Sequence, residues 1–546
     1  MRKPRFAVSP TCWRYNRGGK DLERRGLEGR RYTKMPDFGI KRSKACFAAK
    51  SIYFIPARYL SIRFAWLIIA SAFANAGAQT PGVVGDADVY TTNCSGCHGP
   101  MLTGGEGPSL IAQVYLHGTS DVEVERSIRD GYPDRHMPSW GDVLPTGQIE
   151  GLVRFIRQKR ADNSPESLAA LDAKQIRKLP TETVGSELES FRLHVVATLG
   201  KTFGLAVLPD DRVLVTETAG ALRIIEHGHL LPAPVTGTPH GQPTDLFKRV
   251  LLDLAVHPAY AHNGWIYLTC GDSAPGPDGQ STTEVKLVRG HLQGNAWMDT
   301  QVLAHLPINT ATARIAFDRS GHVFLSTSSE PGETEARQGR PFTVEQLLAM
   351  SPQSLGDPHG KILRYNDDGS VPSDNPFAGS TGAFAPIWSY GHRNPQGLAF
   401  DAHTGTLWSS EQGPRGGDEL NLIRGGHNYG FPVISYSSSY NGVSFTTEIE
   451  HTGMDQPVIN WTPDIAVSAI TFYEGAAFPK WRHDLLIGAL KSQELSRVVL
   501  DGERVIVQES LLKGLGRIRS IAVASNGDIY FALELRTQTL VVRMTP

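Results

Sequence analysis

Ile521-Ala-Val-Ala-Ser-Asn-Gly-Asp-Ile-Tyr-Phe-Ala532 reads as an apolar strand, a turn carrying Gly and Asp, and a second apolar strand. The same wording returns along the chain as Leu205-Ala-Val-Leu-Pro-Asp-Asp-Arg-Val-Leu-Val-Thr216, Leu254-Ala-Val-His-Pro258 with Gly264-Trp-Ile-Tyr-Leu-Thr269, and Ile315-Ala-Phe-Asp-Arg-Ser-Gly-His-Val-Phe-Leu-Ser326. Leu398-Ala-Phe-Asp401 with Gly405-Thr-Leu-Trp408 is another copy, and residues 469–500 hold a further one. Six irregular copies, each with room for three or four short strands, predict a six-bladed β-propeller over 190–546. A β-sandwich would not explain the repeated strand-turn-strand wording. Phe191 to Leu199 alternates Leu193, Val195, Ala197 and Leu199. It is expected to supply the missing outer strand of the last blade, closing the ring and hiding its edges.

Upstream of the repeats, 161–189 is polar and contains Asn163-Ser-Pro165. It reads as a tether, helical in part over Ser167 to Lys178, that raises the effective concentration of one folded unit near the other.

The unit before it, 79–160, is organised around Cys94-Ser-Gly-Cys-His98. Two thiols two residues apart add to the two vinyl groups of one haem, and the adjacent His ligates the iron. A zinc site needs a second ligand pair, and none lies nearby. Cys94 and Cys97 are therefore the expected covalent attachment points and His98 the axial ligand. Met137, in Gly131-Tyr-Pro-Asp-Arg-His-Met-Pro138, is the expected sixth ligand; its thioether favours reduced iron. Met101 and His136 are its rivals. Short helices are expected at Gly85–Asn93 and Asp121–Asp130. A last helix capped by Thr146 carries Ile149, Leu152, Val153 and Ile156 on one face. This stretch resembles a class I cytochrome c, which implies electron transfer through one covalent haem c. The expected fold class is thus multidomain: a small all-α cytochrome c domain followed by an all-β six-bladed β-propeller.

The 546 residues carry a net charge of -1, so no basic excess points to nucleic acid or an anionic membrane surface. Five cysteines form no disulfide framework, since Cys12 and Cys46 fall in an irregular basic leader, residues 1–78, and Cys270 stands alone. Within that leader, 58–78 has a positive start, an apolar run from Phe64 to Ala74 and small-x-small cleavage sites, the layout of an export signal. The run is too short to span a bilayer, which takes roughly 20 apolar residues. With haem c attached outside the cytoplasm, the mature chain is expected in the periplasm or secreted, without a membrane span.

Four loops of the propeller half collect cations and unusual turns: Gly391-His-Arg-Asn-Pro-Gln-Gly397, Glu411-Gln-Gly-Pro414, Leu490-Lys491 and Arg517-Ile-Arg519. Drawn from different blades, they would surround one small polyanion where blade loops converge. With Leu251-Leu-Asp253, Gly360-Lys-Ile-Leu-Arg364, Asn375-Pro-Phe377 and Asn428-Tyr-Gly430, these motifs resemble the glucose/sorbosone dehydrogenase family, soluble aldose dehydrogenases that use pyrroloquinoline quinone (PQQ). The resemblance implies that Lys491, Arg517 and Arg519 contact the quinone's carboxylates and oxygens, a task suited to cations and forked donors. It implies that Arg393 and Asn394 line the reactive face, Arg393 stabilising developing charge. The carbonyls of Gly413 and Pro414 would hold a Ca²⁺ that polarises the quinone.

Two departures bear on catalysis. In that family a His four residues before the third-blade Arg takes the proton from the sugar hydroxyl; counting back from Arg314, this position is Thr310, preceded by Asn309. Threonine is no general base near pH 7, and losing such a base typically costs about 10²- to 10⁴-fold. A Gln usual before Leu251-Leu252 aligns with Lys248, and a usual Gly-Asp-Arg reads Ser328-Ser-Glu330. His240 is the alternative base. Two functions follow as expectations. In one, a sugar or alcohol hydroxyl is oxidised and electrons pass through the fused haem to an acceptor such as another cytochrome. In the other, the propeller has lost catalysis and serves as a binding module beside an independent electron carrier.

Overall fold

The computed structural model describes residues 85–99, 102, 107–111, 117–133, 137–162, 165–239, 241, 249–275, 281–308, 310, 312–329, 341–439 and 443–546. The expected leader, Met101, His136, His240, Lys248, Asn309 and Glu330 lie outside them.

Four helices build the smaller core: α1 (Asp86–Asn93), α2 (Ser95–His98), α3 (Asp121–Asp130) and α4 (Thr146–Asp162). α3 starts on a capping box in which Ser120 accepts from the Glu123 amide and the Glu123 carboxylate accepts from the Ser120 amide. α4 buries Ile149, Leu152, Val153 and Ile156, the expected stripe, against Val89, Tyr90, Ile128 and Trp140. Thr146 does not cap α4. It is the first helical residue, and the Pro145 carbonyl accepts from the Gln148 and Ile149 amides (2.8 and 3.2 Å). Proline serves there because the first turn uses its carbonyl and not its missing N–H.

The propeller has six sheets, one per sequence copy. Five blades have four strands each, and the sixth has Arg517–Val523, Ile529–Glu534 and Thr539–Thr545 joined to the N-terminal strands Ser190–Leu199 and Val184–Gly185. Leu193 pairs with Met544 and Ala197 with Val541 in that closure, but a register shift between Val195 and Ala197 breaks the expected alternation and leaves Val195 exposed. The first strands of the blades, Thr202–Val207, Leu251–Val256, Ile315–Phe317, Pro395–Phe400, Val467–Phe472 and Arg517–Val523, lie side by side around the centre.

A hydroxyl at the fourth residue of one blade's second strand ties it to the next blade. Thr216 donates to the Leu252 carbonyl, Thr269 to Ala313, Ser326 to Pro395 and Ser410 to Ser468. Blade five has Gly488 at this place, and Ser468 donates instead to Ile518. A Cβ on Gly488 would come within 2.9 Å of the Ser468 hydroxyl, so the two arrangements exclude each other.

The segment read as a tether is helical over α5 (Pro165–Ile176) and packs through Ile176 and Leu179 on the core shared by blades five and six.

Candidate functional site

In the helical domain, the α1–α2 junction carries Cys94 and places Cys97 and His98 within α2. His98 is buried, and its Nδ1 donates to the Pro108 carbonyl at 2.8 Å. That bond fixes the tautomer and leaves Nε2 to face an iron. A Cβ on Gly107 would lie 2.9 Å from the His98 ring, so this close approach requires glycine. Burial pushes the Cys94 thiol up to about 12, the opposite of what a thiolate metal ligand or redox dithiol needs. Met137 is held by paired backbone bonds with Tyr132 (2.7 and 3.1 Å) and packs, with Cys94, against the same apolar core. The donor set fits a covalently bound haem with two protein ligands to its iron.

In the propeller, each blade's first strand begins, and its second strand ends, at one face of the ring. Arg393 and Asn394 precede the first strand of blade four; Glu411 ends its second strand and leads into Gly413 and Pro414. Lys491 follows the second strand of blade five, Arg517 and Arg519 open blade six, and Thr310 precedes blade three. All the described residues expected in the site therefore belong to a single face, in two groups.

The first group sits on blades six and one. Glu534 accepts from Lys201 Nζ (3.0 Å) and from Arg519 Nε and Nη2 (3.1 and 2.9 Å), and Arg517 Nε lies 3.9 Å from it. Burial alone would raise the Glu534 pKa. The charges of Lys201, Arg519 and Arg517 outweigh it and hold the carboxyl well below the usual range. Among the described residues three cations gather on this one carboxylate, a setting that suits a polyanion. Lys201 and Glu534 carried no signal in the sequence beyond being polar residues at strand ends.

The second group sits on blades four and five. Arg393 Nη1 donates to the Gln412 carbonyl (2.9 Å), and the Arg393 amide donates to Glu411. Asp418 accepts from the amides of Gly413, Ile465 and Val467 at 2.9–3.1 Å. Lys491 Nζ donates to Asp464 (2.8 Å), which also accepts from the Gly416 amide (3.3 Å), so Lys491 is joined to the Gly413 loop through one carboxylate. A small cavity is lined by Arg393, Glu411, Gly413, Glu419, Ser435 and Ser437; Lys491, Arg517 and Arg519 do not line it. Burial and the neighbouring Glu411 push the Glu419 carboxyl up to about 8. Hard oxygen donors beside Gly413 suit Ca²⁺, although no cluster of three or more His, Cys, Asp or Glu among the described residues is arranged to hold a metal.

Arg314 joins the groups. It is buried and donates from Nε to the Gln396 carbonyl (2.8 Å), from Nη1 to the Phe203 carbonyl and Asp253 (3.2 and 3.0 Å), and from Nη2 to the Arg519 carbonyl (3.0 Å). Gln396 Nε2 in turn donates to Asn394 Oδ1 (2.8 Å). One side chain thus touches blades one, two, four and six from blade three. Among the described residues, Gln396 Oε1 and Thr312 Oγ1 are buried without a hydrogen-bond partner, as befits a centre that receives a polar guest.

Thr310 lies in the face but is engaged. Its hydroxyl donates to the Thr312 carbonyl (2.7 Å), accepts from the Ser328 amide (2.9 Å) and lies 2.9 Å from the Ser328 hydroxyl. The next amide, Ser329, donates to the Arg393 carbonyl (2.6 Å). Thr310 is therefore linked to Arg393 through Ser328 and Ser329, with its hydroxyl engaged in these bonds.

A cation cluster on one face of a six-bladed propeller, joined to a helical domain built around Cys-x-x-Cys-His, defines an oxidoreductase propeller fused to a cytochrome c domain. The chain belongs to the glucose/sorbosone dehydrogenase family, which matches residues 199–542. Residues 86–156 match the cytochrome c oxidase, cbb3-type, subunit III family. The aldose sugar dehydrogenase YliI of Escherichia coli is 35% identical over 348 residues, covering 61% of this chain and 86% of that protein. Quinoprotein glucose dehydrogenase B of Acinetobacter calcoaceticus is 27% identical over 433 residues, covering 65% and 87%. The crystal structure of the soluble E. coli aldose sugar dehydrogenase in its apo-form superposes with a TM-score of 0.56 at 30% identity, over 65% of this chain and 99% of the other. No helix among the described residues is long and apolar enough to cross a membrane.

Proposed function

We propose that this chain is a periplasmic or secreted quinohaemoprotein that oxidises a sugar or alcohol hydroxyl with PQQ and Ca²⁺ and passes the electrons to its own haem c. The observation that carries this reading is a local cluster of cations on blades six and one: Lys201, Arg517 and Arg519 gathered on the Glu534 carboxylate. The quinoprotein among its relatives supports the choice of cofactor. Bound at this face, PQQ supplies a two-electron acceptor for hydroxyl oxidation. Arg517, Arg519 and Lys491 would bind its carboxylates, and the Gly413 and Pro414 carbonyls would hold the Ca²⁺. Arg393, fixed by Gln412 and Glu411, stabilises negative charge developing on the substrate oxygen. In the helical domain His98 and Met137 would hold the haem iron, which would accept electrons singly and supply them to an external acceptor such as another cytochrome.

The engaged hydroxyl of Thr310 favours a second reading, a propeller that binds the quinone or another anion without turnover. Full-length protein loaded with PQQ and Ca²⁺ is mixed with a panel of aldoses and alcohols, and haem reduction is followed by absorbance. Reduction by any of them supports the first reading. Tight quinone binding without reduction supports the second, and absence of quinone binding removes the dehydrogenase reading.

A further inference from the structure

We propose that α5 is a rigid strut that holds the haem domain at the cofactor face of the propeller, with Asp172 and Gln175 as positioning residues for electron transfer. This rests on the functional reading above, in which the haem is the propeller's electron acceptor.

The helix has one working face: Leu168, Leu171, Asp172, Gln175 and Ile176, with Leu179 just beyond, follow the spacing i, i+3, i+4, i+7, i+8 and i+11. The face is divided between two cores. Leu168 packs against the core of the haem domain, whereas Ile176 and Leu179 pack against the core shared by blades five and six. Eight residues of α-helix separate Leu168 from Ile176, about 12 Å along the axis at the usual rise.

The hold on the propeller is specific. Asp172 is fully buried and accepts from the Arg536 amide (2.9 Å), the Thr537 amide (2.8 Å) and the Thr537 hydroxyl (2.7 Å), with Arg536 Nη1 at 3.7 Å. A buried carboxylate with three donors and a guanidinium is satisfied only in this one position. Gln175 Nε2 donates to the Gly514 and Leu515 carbonyls (2.6 and 2.9 Å). Further along, the Glu187 amide donates to Glu509, and Lys480 donates to Leu188 and Glu189, so the chain has no slack before the closing strand.

The place of attachment matters as much as its strength. Arg536 and Thr537 follow Glu534 by two and three residues, and Gly514 and Leu515 precede Arg517 by three and two. Lys201 also donates to the Leu535 carbonyl (2.8 Å). α5 is therefore bonded to the two turns that carry Arg517 and Glu534, at the rim of the cation cluster. Oxidation of one hydroxyl to a carbonyl releases two electrons and two protons. The protons go to solvent; each electron reduces one ferric iron to ferrous, and the second follows once an external one-electron acceptor has reoxidised it. A strut keeps the distance short for both transfers, where a loose tether would leave it to diffusion.

The test uses the full-length chain with haem c, loaded with PQQ and Ca²⁺, carrying Asp172→Ala with Gln175→Ala, and separately Leu168→Ser. In the double variant we expect a larger radius of gyration by solution scattering, faster proteolytic cleavage between the haem domain and residue 190, and substrate-driven haem reduction slowed tenfold or more. Substrate oxidation with a small soluble dye as acceptor should stay unchanged. Leu168→Ser should reproduce the scattering and haem-reduction effects while leaving α5 protected on the propeller. Unchanged scattering and cleavage in both variants would overturn the proposal, as would unchanged haem reduction in a variant that has come loose. If the parent protein oxidises nothing with either acceptor, the functional reading falls, and scattering and cleavage still decide whether α5 docks.

Discussion

Arg314 and Asp253 form an ion pair of 3.0 Å in the middle of the ring, one from blade three and one from blade two. Both are buried, and burial pushes the Asp253 carboxyl up and the Arg314 guanidinium down. The pair holds because Asp253 also accepts from the Ile315 amide and Arg314 spends its other donors on Gln396, Phe203 and Arg519. Arg314→Met should cost about 3–5 kcal/mol, the usual cost of stranding one partner of a buried pair. Denaturant unfolding of the full-length protein measures it, and a loss below about 1 kcal/mol would show that the ring does not depend on this residue.

Glu534 gives the fold an acid limit. Its folded pKa is depressed, so its contribution is complete above the ordinary value of 4.5 and is lost as pH falls through the folded value. Thermal midpoints of the parent should fall steeply below about pH 4.5. Glu534→Gln should already be less stable at neutral pH, by about 3 kcal/mol, and should show a shallower acid slope. Parallel pH profiles for the two proteins would contradict the assignment.

Arg517→Met should weaken PQQ binding by roughly tenfold to hundredfold, the value of one charge-assisted hydrogen bond, and leave the haem spectrum as it was. Calorimetric titration of the Ca²⁺-loaded protein with PQQ reads the first effect. Unchanged affinity would place the quinone away from blade six.

Thr310→Val keeps the shape and removes the hydroxyl. The Ser328 amide then loses its acceptor, costing about 1–3 kcal/mol of stability. If Thr310 has no part in proton transfer, turnover with the best substrate should stay within a few-fold. A fall of about 100-fold or more would make the hydroxyl part of the chemistry.

Met137→Ala should lower the haem midpoint potential, within the roughly 0.8 V range commanded by axial ligands. A redox titration that returns the parental potential would move the sixth ligand elsewhere.

The blades were legible because each copy places period-two apolar strands around a turn, a local pattern visible without knowing what lies opposite. The haem motif was legible for the same reason: Cys94, Cys97 and His98 are neighbours in the chain. Arg393, Asn394, Lys491, Arg517 and Arg519 stand in motifs at strand ends, and strand direction alone puts them on one face. The hub at Arg314 was not legible, since its acceptors come from Phe203, Asp253, Gln396 and Arg519, each in another blade. Nor was Lys201 beside Glu534, whose partners are 333 residues apart. Asp172 gave no sign either: in a polar helix it looks like any solvated carboxylate, and only the turn at Arg536 and Thr537 gives it a role.

Closure of the ring by Ser190–Leu199 and Thr539–Thr545 has a bearing on how the molecule is made. Thr545 and His194 meet across 351 residues, so the last blade stays short of a strand while five others assemble. Contacts this distant form late and slowly, whereas the helices of residues 86–162 depend on near neighbours and can mature early. The nascent ring therefore presents an open edge for longer than any other part of the chain, and that seam is where a holding chaperone would have most to protect and where misassembly between two copies would begin.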